Sequence, residues 1–300
     1  MKKYFISFGN GKFKNQLNRV CNEAKETGWF NSVIAYTPSI IEDFINQHKD
    51  FINNNPRGFG YWIWKPYIIL KTLLEIDEGD YLFYTDAGSK ILPHRENRFY
   101  EYLNMLEEQP IWINGEGGQY NEKQYQKLAL LKKFNLENNE LFLNSSHTES
   151  GMIAIRKCEE SLNIIQEWMD LVVEDNYNLV NDNLGSDKQL EGFIEHRHDQ
   201  SILNILLKTN KYKSLQYSNC YGLGPFFSSR RTDTGMREFA ADWWRAEPDY
   251  IDNKTHPTRF EYLNDKTDPD WWKKQKDYDP NTMFVEDDYM HYRWKEYNHS

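Results

Sequence analysis

Asp86 closes the run Asp80-Tyr81-Leu82-Phe83-Tyr84-Thr85-Asp86 and is followed by Ala87 and Gly88. A carboxylate held at the tip of a hydrophobic strand, with small neighbours that let a ligand approach, suits a divalent cation that in turn bridges phosphates. The same Asp-x-Gly sequence also makes an ordinary turn, so both uses stay open. A second concentration is His196-Arg197-His198-Asp199-Gln200. Two histidines two residues apart on a strand share a face and can enter a metal cluster, which would suit a hydrolase using Asp86 with that pair. A hydrolytic zinc site needs further ligands close by, whereas Asp199 is followed by the apolar run Ile202 to Leu207. The preferred reading makes Asp199 the N-cap of a helix carrying Ile202, Leu203 and Leu206. Glu149-Ser150-Gly151 offers a third carboxylate just ahead of Met152 to Arg156, and Arg57 and Lys65 are cations able to meet a diphosphate. Gly115-Glu116-Gly117-Gly118 has no phosphate-loop lysine pattern and reads as a flexible loop.

These residues need elements to position them. Lys3 to Phe8 is an aromatic and β-branched run stopped by Gly9-Asn10-Gly11, a buried first strand ending in a turn. Lys14 to Thr27 carries Leu17, Val20, Cys21 and Ala24 at helical spacing, and Ser32 to Tyr36 is a second strand. Thr37-Pro38 opens a helix through about His48. After a turn-rich loop over residues 53–60, Pro66 sits in the first turn of a helix through Ile76 with an apolar stripe. Asp80 to Asp86 is the most strand-like segment of the chain. Helix then strand follow at Asn97 to Glu108 and Ile111 to Asn114, then a polar helical stretch around Lys123 to Phe134, a strand Gly151 to Arg156 and a helix from about Glu159 to Val173. Strands alternating with helices imply an α/β sheet with parallel pairs, whose functional groups sit beyond the carboxyl ends of strands.

The formal charge of −10 over 300 residues argues against a protein whose main task is to coat nucleic acid. Aromatics reach 16%, far more than disordered chains hold, so the chain folds around large rings; such a surplus is also common where flat sugar or base faces are gripped. No window has the ~18 uninterrupted apolar residues of a membrane span. Cys21, Cys158 and Cys220 are far apart without a C-x-x-C pair, which fits packing thiols in a reducing cytoplasm. From about Arg230 the pattern breaks into charge, proline and the pairs Trp243-Trp244 and Trp271-Trp272. The expected organisation is one catalytic domain over residues 1–230, with 231–300 as a segment packing on it, since so few aliphatics could hardly support a separate core.

Gly58-Phe59-Gly60-Tyr61-Trp62-Ile63-Trp64-Lys65-Pro66, then Gly79 to Gly88, then His196-Arg197-His198-Asp199-Gln200-Ser201 resemble, in this order, a group of bacterial and large-virus glycosyltransferases with the GT-A fold. The resemblance covers about half of the chain well. It implies a GT-A-type, Rossmann-like, mixed and mostly parallel sheet flanked by helices, a UDP- or GDP-sugar donor, and a glycan or other hydroxyl acceptor. In such families the strand-end motif is Asp-x-Asp, and its acids hold Mn²⁺ or Mg²⁺ against the donor diphosphate. Here Asp86 matches the first acid and Gly88 replaces the second, so the cation needs a ligand from elsewhere; His256 is the first candidate and His291 the next. The resemblance also implies that Phe8, Gly9, Asn10 and Lys12 receive base and ribose and that Ala87 and Gly88 adjoin the diphosphate; beside the cations Arg57 and Lys65, Arg230-Arg231 is another cationic pair, on a segment that could fold over the nucleotide. Asp199 and Gln200 would lie beside the donor sugar, which favours retention of configuration. Glu149 would either bind an acceptor hydroxyl or cap its strand, and Tyr61, Trp62 and Trp64 would be core rings. Two other readings stand beside the transferase: a silent sugar- or nucleotide-binding protein of the same fold, for which Gly88 argues, and the metal-dependent hydrolase.

Overall fold

The structure is a computed structural model; it describes residues 1–115, 120–215, 219 and 223–228, with Lys12 described in its backbone only. Five strands, β1 (Lys3–Phe8), β2 (Ser32–Tyr36), β3 (Tyr81–Thr85), β5 (Ile111–Gly115) and β6 (Thr148–Arg156), form one sheet in the order β2-β1-β3-β6-β5. β1 pairs parallel with both β2 and β3, while β6 pairs antiparallel with β3 and with β5. Four strands therefore run one way and β6 alone runs against them, a mixed, mostly parallel α/β sheet. The short strands β4 (Lys90–Ile91) and β7 (Phe226–Phe227) make a separate antiparallel pair that the sequence does not announce.

Alternation along the central strands divides the core in two. Leu82 and Tyr84 of β3 and Ile153 and Ile155 of β6 face one apolar cluster; Tyr81, Phe83, Met152 and Ala154 face the other. The first is covered by α2 (Trp64–Glu75), α5 (Glu159–Tyr177) and α6 (Asp199–Thr209), the second by α1 (Lys14–Glu26) and α3 (Glu96–Glu108). The result is three layers, with every residue of β3 buried because both faces are covered.

Several local expectations need correction. The helix read from Thr37 to His48 is a 3-10 turn over Pro38–Ile41 followed by two short helices, Glu42–Gln47 and Lys49–Asn54, because His48 leaves helical geometry between them. The polar stretch 123–134 is likewise two pieces, Glu122–Tyr125 and α4 (Leu128–Lys133), separated by Gln126 and Lys127, which turn inward to buried partners. β6 begins at Thr148, so Glu149, Ser150 and Gly151 belong to the strand rather than preceding it. Residues 58–62 are not a plain loop: φ is 60°, 56°, 85°, 52° and 61° from Gly58 to Trp62, a left-handed turn closed by Trp62 N–H donating to Gly58 O at 3.2 Å. Left-handed backbone costs an L-residue about 1–2 kcal/mol, so two glycines lighten a turn that Phe59, Tyr61 and Trp62 must also enter.

The close seating of α1 behind β1 depends on one small residue. A Cβ on Gly9 would stand 2.7 Å from the Phe13 carbonyl oxygen and 2.8 Å from Leu17 Cβ. Gly9→Ala is expected to destabilise the fold by about 1–3 kcal/mol, the usual range for overpacking. Urea unfolding measures it, and an unchanged midpoint would mean that this turn can shift freely.

Candidate active site

Parallel strands β1 and β3 end at the same edge of the sheet, and the reversed β6 starts there, so Phe8, Asp86 and Glu149 meet although they are far apart in the chain. The helix N-termini that carry Lys65 and Asp199 point at this edge as well. Together they line a cleft of about 590 Å³. Phe8, Gly9 and Asn10 line it together with Asp86, Ala87 and Gly88, with Glu149, Asp199 and Gln200, and with Arg57 and Lys65. Phe59, Trp62 and Arg197 also line it.

Lys65 is the hub. Only 3% of its side chain is exposed, and Nζ lies 3.3 Å from Asp86 Oδ1 and 3.5 Å from Asp199 Oδ2. It also donates to Ser150 O and Ser150 Oγ, both at 3.2 Å, and sits 5.3 Å from the Tyr84 ring centre. Burial alone would lower its pKa, but Asp199 and Asp86 outweigh that and hold the ammonium above its ordinary value. The lysine is placed by the left-handed turn, since its N–H donates to Trp62 O at 2.9 Å and Trp64 Nε1 donates to Gly58 O at 2.9 Å. Pro66 follows inside the first turn, where a missing N–H is harmless.

Asp199 is fully buried, with Ser150 Oγ donating to its Oδ2 at 3.4 Å. Burial pushes its carboxyl up to about 6; Lys65 opposes this and Asp86 adds to it. The expected N-cap role is corrected: the cap position is His198, Asp199 is the first helical residue, and its carboxylate turns to Lys65. Gln200 Oε1 accepts from Ser150 N–H at 3.4 Å.

Asp86 lines the cleft with its side chain 48% exposed. Its N–H donates to Gly151 O and its carbonyl accepts from Ser89 N–H, both at 2.9 Å, so the turn reading of Asp-x-Gly holds for the backbone while the carboxylate remains available. Tyr84 OH donates to Oδ1 at 2.5 Å, and burial drives the Tyr84 phenol far above its usual pKa. Oδ2 faces Gly151, where even a Cβ would come to 3.4 Å. From α1, Arg19 Nη2 donates to Ala87 O at 2.9 Å and Ser89 O at 2.7 Å, which fixes the turn after Asp86. For a divalent cation, Asp86 fits as one carboxylate ligand through Oδ2. Gly88 supplies none, and no group of three or more His, Cys, Asp or Glu among the described residues could hold a metal. His256, His291, Arg230-Arg231, Cys220, the paired tryptophans, most of the 115–118 loop and the whole of 231–300 lie outside the described residues, as does the side chain of Lys12.

The histidine pair does not form the metal cluster considered for a hydrolase. His196 Nε2 bonds Leu179 O at 2.9 Å and His198 Nδ1 bonds Val180 O at 2.8 Å. Burial lowers both pKa values, that of His198 to about 4, so both rings are neutral near pH 7. Arg57 is half exposed and pairs with Glu195 at 3.2 Å and Asp182 at 3.8 Å, so a phosphate would have to compete with two carboxylates for it. Tyr61 and Trp64 are buried as expected, with Trp64 stacked 4.0 Å from Phe8, but Trp62 and one side of Trp64 also border the cleft.

Tyr84 was not singled out from the sequence, and Ser150 entered it only as the small residue beside Glu149. Strand parity could have found Tyr84, since residues two apart share a face and Tyr84 therefore follows Asp86 toward the lysine. Nothing in the local sequence marks Ser150 as a partner of Lys65, Asp199 and Gln200, which come from two distant helices.

No family model matches the chain, and no curated protein matches it. Among solved structures it is similar to mouse xyloside xylosyltransferase 1, with 10% identity, coverage of 73% of this chain and 86% of that one, and a TM-score of 0.40. It is similar to a glycosyltransferase involved in glycosylation of the major capsid of PBCV-1, at 9% identity, 83% and 99% coverage and a TM-score of 0.43. The glycosyltransferase GlyE of Streptococcus pneumoniae TIGR4 is a third, at 14% identity, 82% and 60% coverage and a TM-score of 0.39. Similarities this distant transfer no residue roles, and the chemistry has to be argued from the cleft itself.

Proposed function

We infer that the chain is a glycosyltransferase that moves a sugar from a nucleotide-sugar donor to an acceptor hydroxyl. The observation that carries this reading is the buried Lys65 ammonium joining Asp86, at the tip of β3, to Asp199, at the start of α6, across one cleft. A UDP- or GDP-sugar needs its diphosphate neutralised and its sugar oriented, and we assign the first task to Asp86 and the second to Asp199, which share the Lys65 ammonium. Mn²⁺ or Mg²⁺ bound through Asp86 would neutralise charge on the departing nucleoside diphosphate. Asp199 and Gln200 hold hydroxyls of the donor sugar and shape the site for positive charge at its anomeric carbon. Phe8, Gly9 and Asn10 receive base and ribose, and Glu149 orients the acceptor hydroxyl. The placing of Asp199 and Gln200 beside the sugar favours retention.

Gly88 favours a second reading, a silent nucleotide- or sugar-binding protein, because it leaves one acidic ligand where related enzymes have two. Donor hydrolysis with a panel of nucleotide sugars separates the two. A transferase releases nucleoside diphosphate slowly from one donor, a binder from none, and a general hydrolase from all of them.

Asp86→Asn is expected to remove metal-dependent nucleotide binding while leaving the fold intact, since a half-exposed carboxylate contributes charge and little packing. Calorimetry with Mn²⁺ and UDP or GDP measures this. Equal metal-dependent affinity in the variant and the parent would sink the assignment of Asp86.

No helix among the described residues is long and apolar enough to cross a membrane.

A further inference from the structure

We propose that Lys127 is a positioning residue of this site: its buried ammonium gathers the oxygens of the loop over residues 178–183, and that loop fixes His196 and His198 and so the place of Asp199 and Gln200 in the cleft. Lys127 lies just before α4 and is 0% exposed. Its Nζ donates to Asn178 O, to Asn181 O at 2.9 Å, to Asn181 Oδ1 at 3.2 Å and to Asn183 O at 3.3 Å. All four acceptors are amide oxygens of one short loop. A buried ammonium held this way is a costly arrangement, because no carboxylate among the described residues bonds it to offset its desolvation.

What the loop does next gives that arrangement a use. The intervening carbonyls of Leu179 and Val180 accept from His196 and His198 at 2.9 and 2.8 Å. His198 has φ 55° and ψ −123°, a conformation that non-glycine residues avoid and that surrounding contacts must impose. Its contacts include the Val180 carbonyl, Asp182 Oδ1 at 3.7 Å from Nε2, and the rings of Tyr61 at 4.4 Å, His196 at 5.5 Å and Trp62 at 5.6 Å. Asp199 is the next residue, so the imposed backbone sets the start of α6 and the direction of the Asp199 carboxylate. Lys127 touches neither the cleft nor Asp199. It acts through the loop.

The charged and titratable groups that act on or feel Lys127 are Asp182, on the same loop, and His196. Burial lowers the ammonium to about 8, and Asp182 opposes this only in part. Above that pH a neutral amine has two N–H donors and no charge, so it can no longer hold all four oxygens together. Stability moves the other way. A lysine depressed in the folded state binds its proton more tightly when unfolded, so between about pH 8 and its ordinary value near 10.4 stability rises with pH. A merely structural lysine would make activity and stability change together, whereas a positioning lysine separates them.

The inference rests on the glycosyltransferase reading only for its kinetic readout. On the full chain, kcat for donor turnover is expected to fall several-fold as pH rises through about 8 while melting temperature does not fall. Lys127→Met should lower kcat at pH 7 at least tenfold with little change in donor KM, and Lys127→Arg, which stays charged, should retain activity and lose the alkaline limb. Hydrogen exchange should quicken at 178–183 and 196–200 in Lys127→Met, and in the parent above pH 8 beyond the intrinsic pH dependence, which needs no variant to fold. Wild-type kcat in Lys127→Met, or unchanged exchange at both segments, overturns the proposal. If the parent turns over no donor, the transferase reading fails by itself, and the exchange comparison still decides the role of Lys127.

Discussion

Lys65→Met is expected to abolish donor turnover and to lower stability by about 3–5 kcal/mol, the cost of breaking a buried ion pair by removing one partner. The size follows from what remains behind. Asp199 is fully buried and Lys65 is the cation beside it, so without the ammonium its carboxylate has no compensating charge and takes up a proton at neutral pH. Asp86 Oδ1 loses its cation and keeps only the Tyr84 hydroxyl, and Ser150 loses the lysine donor to its carbonyl and hydroxyl. Stability and activity should separate in the double variant Lys65→Met/Asp199→Asn, which removes both charges. It should recover much of the lost stability, since replacing a buried pair by neutral groups is often close to neutral, yet remain inactive. Urea unfolding and donor hydrolysis of the two variants and the parent give the comparison. A Lys65→Met protein as stable and active as the parent would remove the lysine from the centre of the site.

Asp199→Asn is expected to lower turnover at least tenfold, about 1.4 kcal/mol of barrier, and to cost far less stability at pH 7 than Lys65→Met, because Lys65 keeps Asp86 as a charged partner. Burial raises the folded pKa of Asp199 to about 6, above its unfolded value near 3.9. Its contribution to stability is therefore fully present below about pH 4 and is lost as pH rises through about 6. At pH 7 the carboxylate opposes folding, and the amide does not. Activity runs in the opposite direction, because the sugar-orienting form is the carboxylate: turnover in the parent should fall as pH drops through about 6. The variant should lack that acid limb. A pH profile of kcat for both proteins, with melting temperatures at the same pH values, tests the pair of statements. An acid limb that survives in Asp199→Asn belongs to another group.

The layering was legible in the chain because it follows from short-range periodicity. β1 and β2 occupy Lys3–Phe8 and Ser32–Tyr36 as the sequence indicates, since each is a compact β-branched or aromatic run bounded by residues that stop it. Asp86 was legible for the same reason: a carboxylate that ends an apolar strand next to Gly88 stands where an α/β sheet opens to ligands. Asp199 and Gln200 were singled out, but the residue types alone also allowed a helix cap, and the cap was the wrong choice. Helix breaks at His48 and at Gln126-Lys127 escaped the reading, because a polar residue turned inward looks in sequence like one turned outward.

The sequence by itself determined the alternation of strands and helices, the buried central strand and the carboxylate at its tip, all of which depend on neighbours within a few residues. Only the tertiary structure decided that β6 runs against the other four strands and so delivers Glu149 and Ser150 to the edge where β1 and β3 end. It alone bent residues 58–62 into a left-handed turn and aimed Lys65 between Asp86 and Asp199. It also placed the Lys127 ammonium among the amide oxygens of the loop over residues 178–183. Each of these joins groups from different elements. The free energy that fixes them, burial of one charge against another or of one donor against several acceptors, exists only once the layers have closed over it.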